Sequence, residues 1–162
     1  MESILTNNLQ AMLRDKKSFI AAMAKGEMAQ TVLQISDEEM GKFYQAAYTL
    51  FQRHAYREAA DAYLFLVSLN SANHDYWVGL GMSTQMLGDY EGAIDAYELA
   101  ATCELDNPVS YFYLAKCLFA IHDRENALEA LELAIEYSTD RISFEELHRQ
   151  AQTAKKLLEQ AE

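Results

Sequence analysis

The side chains of this sequence that could do chemistry are four histidines, two cysteines and two pairs of adjacent glutamates. His54, His74, His122 and His148 stand far apart, with no histidine at i+4 and no cysteine beside any of them. They lack the ligand spacing of a metal site and are expected at turns or on the surface. Cys103 and Cys117 fall inside helical patterns, which suits reduced thiols packed in a core. Glu38-Glu39 and Glu145-Glu146 look like acid–base pairs, but each falls where a first helical turn is expected. Carboxylates there are favoured by the helix dipole and need no catalytic explanation. No glycine-rich phosphate loop and no nucleophile elbow occurs. The expectation is a protein that is not an enzyme, with no catalytic residue, no metal and no cofactor.

The elements that carry these residues are helical. An apolar content of 51% over 162 residues is enough for one domain with its own core. One proline and six glycines leave long helices largely uninterrupted. The net charge of -12 disfavours nucleic acid and anionic membranes as partners, because a phosphate surface needs clustered Lys and Arg. Arg14, Asp15, Lys16 and Lys17 interrupt the N-terminal stretch, so it lacks the apolar core of a signal peptide. No run approaches the roughly 18 apolar residues of a membrane helix. The expected location is the cytosol.

A period of 34 residues organises the middle of the chain. Phe43, Trp77 and Tyr111 recur at this spacing, as do Ala47, Gly81 and Ala115. Ala59, Ala93 and Ala127 follow, then Tyr63, Tyr97 and Leu131, then Leu66, Ala100 and Ala134. The unit Trp77-x-x-Leu80-Gly81 … Gly88 … Ala93 … Tyr97 resembles the tetratricopeptide (TPR) pattern. Small residues let two antiparallel helices approach, while the large column fills the space to the next unit. Gly88 suits a helix-ending turn. His54 and His122 stand at the equivalent places and tolerate such a turn less well, so the outer units are expected to be less ideal.

Ser36-Asp37-Glu38-Glu39 reads as a capping box opening the first unit. Asn107-Pro108 reads as an N-cap followed by proline at the first helical position. Ser143-Phe144-Glu145-Glu146 reads as a further capping box, before a helix with apolar spacing at Leu147, Ala151, Ala154, Leu157 and Leu158. The expected architecture is all-α. N-terminal helices cover 1–35, and three tandem TPR helix pairs form a superhelical solenoid over 36–141 (about 40–73, 74–107 and 108–141). A capping helix covers 142–162. Leu9, Met12, Leu13, Phe19, Ile20 and Met23 mark one face of the N-terminal stretch, suited either to capping the first unit or to a dimer contact.

Stacked TPR units turn the first helix of each pair towards the concave side. The groove positions expected from this register are Tyr44, Tyr48 and Phe51, then Val78, Met82, Gln85 and Met86, then Val109, Phe112, Lys116 and Phe119. The signature columns already supply the core of each pair, which frees these residues to grip apolar side chains of an extended peptide. Alternatively, some of them pack beneath the terminal helices. One lysine cannot form the Lys/Asn clamp with which TPR cochaperones hold an acidic tail, so an apolar ligand is favoured.

The stretch Phe43-Tyr44-x3-Tyr48-x2-Phe51-x4-Tyr56-x2-Ala59 resembles the first repeat of the class II type III secretion chaperones. Gly79-Leu80-Gly81-x3-Gln85-x2-Gly88-x-Tyr90-x2-Ala93-Ile94-x2-Tyr97 resembles the second, and Pro108-x7-Lys116-Cys117-Leu118 the third. The resemblance runs from about residue 30 to 158. It implies a bacterial cytosolic, ATP-independent chaperone for the hydrophobic translocator proteins of a type III secretion system. Carried over by position, the peptide contacts would include Tyr44, Tyr48, Phe51, Tyr56, Met82, Phe112 and Phe119. Many relatives dimerise through N-terminal helices, so a homodimer through Leu9, Met12, Leu13, Phe19, Ile20 and Met23 is a further implication. The alternative is a generic TPR interaction adaptor unrelated to secretion.

Overall fold

In the computed structural model the described residues are 21, 22 and 24–160. The N-terminal face at Leu9, Met12, Leu13, Phe19, Ile20 and Met23 lies outside them. The helices are α1 (Ala29–Val32), α2 (Asp37–Gln52), α3 (Tyr56–Leu69), α4 (His74–Met86), α5 (Tyr90–Cys103), α6 (Pro108–Ala120), α7 (Arg124–Ser138) and α8 (Glu145–Gln160). A 3-10 turn at Ile142–Phe144 precedes the last. Helices α2 to α8 pack chiefly on their neighbours in sequence, so the core is a chain of adjacent contacts, as in other solenoids.

Helices α2 and α4 to α7 start where a short polar side chain satisfies a free amide, whereas α3, which follows Ala55, has no side-chain cap. Ser36 Oγ accepts from the Glu39 amide (3.2 Å), and Glu39 Oε2 accepts from the Ser36 amide (2.8 Å), completing the capping box. Asn73 and Asn107 cap α4 and α6, the latter with Pro108 behind it. Asp89 and Asp123 do the same for α5 and α7, a regularity that the sequence reading had not singled out. Ser143 does not cap α8. It lies inside the 3-10 turn, and α8 starts at Glu145, so the capping-box expectation fails there.

The three turns inside the helix pairs share one geometry. His54, Gly88 and His122 adopt φ of 62°, 82° and 65°. The amide of Ala55 donates to the Leu50 carbonyl (3.0 Å) and that of His54 to Phe51 (3.0 Å). Asp89 and Gly88, and then Asp123 and His122, repeat this pattern, which is the Schellman ending of a helix. The histidines therefore do not distort the outer units. What they cost is conformational energy, since a side chain with a Cβ disfavours the left-handed region.

The repeating columns lie where close packing requires. Ala59, Ala93 and Ala127 are fully buried, as are Leu66, Ala100 and Ala134. A Cβ on Gly79 would lie 2.2 Å from the Tyr63 ring, and one on Gly81 2.7 Å from the Tyr97 ring. Helix α4 is thereby pressed against α3 on one side and α5 on the other. The large column ties each unit to the end of the one before. Trp77 Nε1 donates to the Ser71 carbonyl (2.7 Å), and the Tyr111 hydroxyl to Leu105 (2.8 Å). Helix α8 closes the last pair with Ala151 and Leu158 against Leu131 and Ala134. Lys155 pairs with Glu132 at 2.8 Å, and Arg124 donates to the Leu158 carbonyl.

His122→Gly should raise unfolding stability by about 0.5–1 kcal/mol in urea titration, because glycine removes the left-handed penalty. His54→Gly should gain less, since His54 Nδ1 and the Tyr56 hydroxyl share a 2.6 Å hydrogen bond.

Candidate functional site

Several of the residues with reactive side chains have structural partners, although His74 Nε2 is buried without one among the described residues. Glu39 completes the Ser36 cap, Glu38 pairs with Lys42 at 2.8 Å, and Glu146 holds Arg149 at 2.6 Å. The Lys42 ammonium beside Glu38, the Ser36 amide and hydroxyl on Glu39, and the Gln150 amide followed by the Arg149 guanidinium on Glu146 hold these carboxyls below the usual range. His74 is buried with Nδ1 3.0 Å from Asp75, and His148 Nδ1 lies 2.8 Å from Ser138 Oγ. Both cysteines are free thiols, and burial pushes Cys117 up to about 11. Among the described residues no group of three His, Cys, Asp or Glu side chains could hold a metal. Nor is any helix there long and apolar enough to cross a membrane.

The hollow suited to a ligand lies between α6 and α8. It encloses about 730 Å³ and is lined by Phe112, Ala115, Lys116 and Phe119 of α6, and by Leu131 of α7. Helix α8 contributes Arg149, Gln150, Thr153, Ala154, Leu157 and Leu158. Phe119 and Leu157 are 55% and 63% exposed, so two large apolar side chains stand in solvent across its mouth. Lys116 Nζ sits 4.4 Å from the Phe112 ring centre and 5.0 Å from that of Tyr113. Burial lowers its ammonium from the ordinary lysine value.

The expected groove residues divide by column. The fifth position of each unit turns inwards. Val78 is buried with Ala93, Tyr97 and Cys117, and Phe112 is buried with Ala127, Leu131 and Leu158. Tyr44 is half-buried, 6.0 Å from the Tyr63 ring and 5.7 Å from that of Tyr76. Val78 and Phe112 are thus core residues, contrary to the expectation that the signature columns suffice for the core. The reason is that each first helix is covered on both sides, by its own partner and by the next unit or α8. Burial, and after it the charge of Asp75, raises the Tyr44 phenol.

The ninth and twelfth positions keep the expected accessibility. Tyr48, Lys116, Phe119 and the neighbouring Met86 are exposed, and Met82 and Phe51 are half-buried. Phe51 packs edge-on against Tyr56 at 5.3 Å, beside the first turn. Val109 is half-buried against the second unit's core, and Gln85 accepts a hydrogen bond from the Tyr97 hydroxyl (2.8 Å). Of the expected peptide contacts, Phe112, Lys116 and Phe119 meet in one hollow. The α8 side of that hollow was missed. Its signal was Leu157 beside Leu158: two adjacent leucines cannot both face one core.

A family model for the tetratricopeptide repeat matches residues 74–106, the α4–α5 pair. The low calcium response locus protein H of Yersinia pestis is 29% identical over 114 residues, covering 70% of this chain and 68% of that protein. Two structures of the Yersinia enterocolitica type III secretion chaperone SycD each superpose with a TM-score of 0.75 at 26% identity. One is in complex with a peptide of the translocator YopD and the other is an alternative dimer. Each comparison covers 77% of this chain and 95% of SycD.

Phe112→Ala should cost about 3–5 kcal/mol in denaturant unfolding, as expected for a buried phenylalanine. Phe119→Ala should stay within about 0.5 kcal/mol of the parent chain, as expected for an exposed one. Equal costs would place both side chains in the same environment and contradict this division of the helix.

Proposed function

We propose that this chain, which belongs to the tetratricopeptide-repeat chaperones of type III secretion, holds an apolar, extended segment of a secreted translocator protein before export. The observation that carries this reading is the open apolar hollow between α6 and α8, with Phe119 and Leu157 at its mouth. Burying one leucine-sized anchor there is worth roughly 1.5–3 kcal/mol. Specific binding therefore draws on further anchors along the same face, at Met82, Met86, Tyr48, Phe51 and Tyr56. The work is binding rather than catalysis: masking an aggregation-prone segment needs neither a reacting group nor ATP. The place for it is the bacterial cytosol, where the client is made.

The test is coexpression with an apolar secreted protein encoded beside this chain. The client should be soluble and co-purify with the chain, and should pellet without it. Phe119→Ala with Leu157→Ala should lower the co-purified client at least fivefold while helicity by circular dichroism is unchanged. A client equally soluble in the absence of the chain would overturn the proposal.

For residues 1–35 we propose a contact between two copies through Leu9, Met12, Leu13, Phe19, Ile20 and Met23, on the strength of their apolar stripe. In sedimentation equilibrium the full chain should have the mass of two copies and a chain lacking residues 1–30 the mass of one. The same number of copies in both would exclude that role.

A further inference from the structure

We propose that the hollow between α6 and α8 reads one carboxylate of the bound segment, an Asp or Glu close to an apolar anchor, through Lys116. This rests on the chaperone reading above and adds the chemistry that the segment must carry. Two cations line the hollow, Lys116 and Arg149. Arg149 is held by Glu146 at 2.6 Å, and the nearby Lys155 by Glu132 at 2.8 Å. Lys116 has no carboxylate within ion-pair distance among the described residues.

Its ammonium instead lies over two rings, at 4.4 Å from Phe112 and 5.0 Å from Tyr113. Ring faces attract a cation, but more weakly than a carboxylate does, and they leave its outward hydrogens free to donate. They also hold the head group at the cavity wall instead of letting it sweep through solvent. A carboxylate entering with an apolar neighbour would complete the pair while that neighbour fills the hollow.

The balance of charge elsewhere is acidic. The chain carries -12, and a second hollow on another face of α6 is rimmed by Glu91, Asp95, Glu98, Asp123 and Glu129 with no cation in its lining. A carboxylate accepted in this hollow, at the α6–α8 end of the repeats, is a marker of register for the segment. One lysine selects one carboxylate, not the several of an acidic tail.

The probe is a phage-displayed library of random 12-residue peptides, panned in parallel on the full chain and on Lys116→Met, Lys116→Glu and Lys116→Arg. The parent and Lys116→Arg should enrich apolar anchors with Asp or Glu at a fixed spacing from one of them. Lys116→Met should keep the anchors and lose the acid, and Lys116→Glu should replace it by Lys or Arg. In an enriched peptide, exchanging the acid for its amide should weaken binding to the parent chain about five- to tenfold, and to Lys116→Met less than twofold. Anchors without an acid preference, or the same amide penalty in Lys116→Met, would overturn this inference and leave the chaperone reading standing. Enrichment of no apolar-anchored peptide on the folded parent chain would overturn both.

Discussion

The contact between Gly79 and the ring of Tyr63, with its counterpart between Gly81 and Tyr97, sets the distances on which the rest depends. Two glycines, two residues apart on α4, receive rings from the helices on either side. Neither ring has room to stand there if a methyl group replaces hydrogen. The rings are buried in consequence, and their phenols are pushed up by that burial. One period later the arrangement changes. Tyr113 stands where the period would place the glycine at 79, and it stacks on Tyr97 at 5.8 Å with the planes 17° apart. Helix α6 therefore meets the second unit through a ring stack, and the same Tyr113 ring forms part of the seat for the Lys116 ammonium.

That substitution links the scaffold to the site. The face of α6 that would pair with a further repeat meets α8, which does not repeat the columns. Ala151 and Leu158 fill part of the space and Leu157 stays in solvent. The irregular cap leaves the cavity open, with Phe119 and Leu157 at its rim.

The parts of this fold that follow from local chemistry were legible in the sequence. Ser36 with Glu39, and Asn107 with Pro108, act through residues at most three apart, and both caps are where the pattern places them. The columns of alanines were legible because small size is demanded in every unit. The turns at His54 and His122 were misjudged. Propensity counts the cost of a left-handed residue but not the two Schellman hydrogen bonds that stabilise it. Val78 and Phe112 were misplaced for a different reason. A period shows that a column is shared, not how many neighbours cover it, and the fifth position lies between two of them. The α8 wall of the hollow was invisible to the period because α8 stands outside it.

A protein that displays an open apolar cavity risks binding itself. Two features of this chain oppose that outcome. The charge of -12 makes two copies repel at distances beyond contact, more strongly at low salt. The hollow is also recessed between two helices, with side chains such as Phe119 and Leu157 at its rim. An extended segment can enter it, whereas a folded surface must present a ridge that fits between the two helices. Of the two cations lining the cavity, Lys116 is the one without a carboxylate partner among the described residues. Acidic net charge and attraction at one point inside the hollow then act together: they disfavour insertion of a second copy into the hollow and admit a segment whose carboxylate lies in register with its anchor.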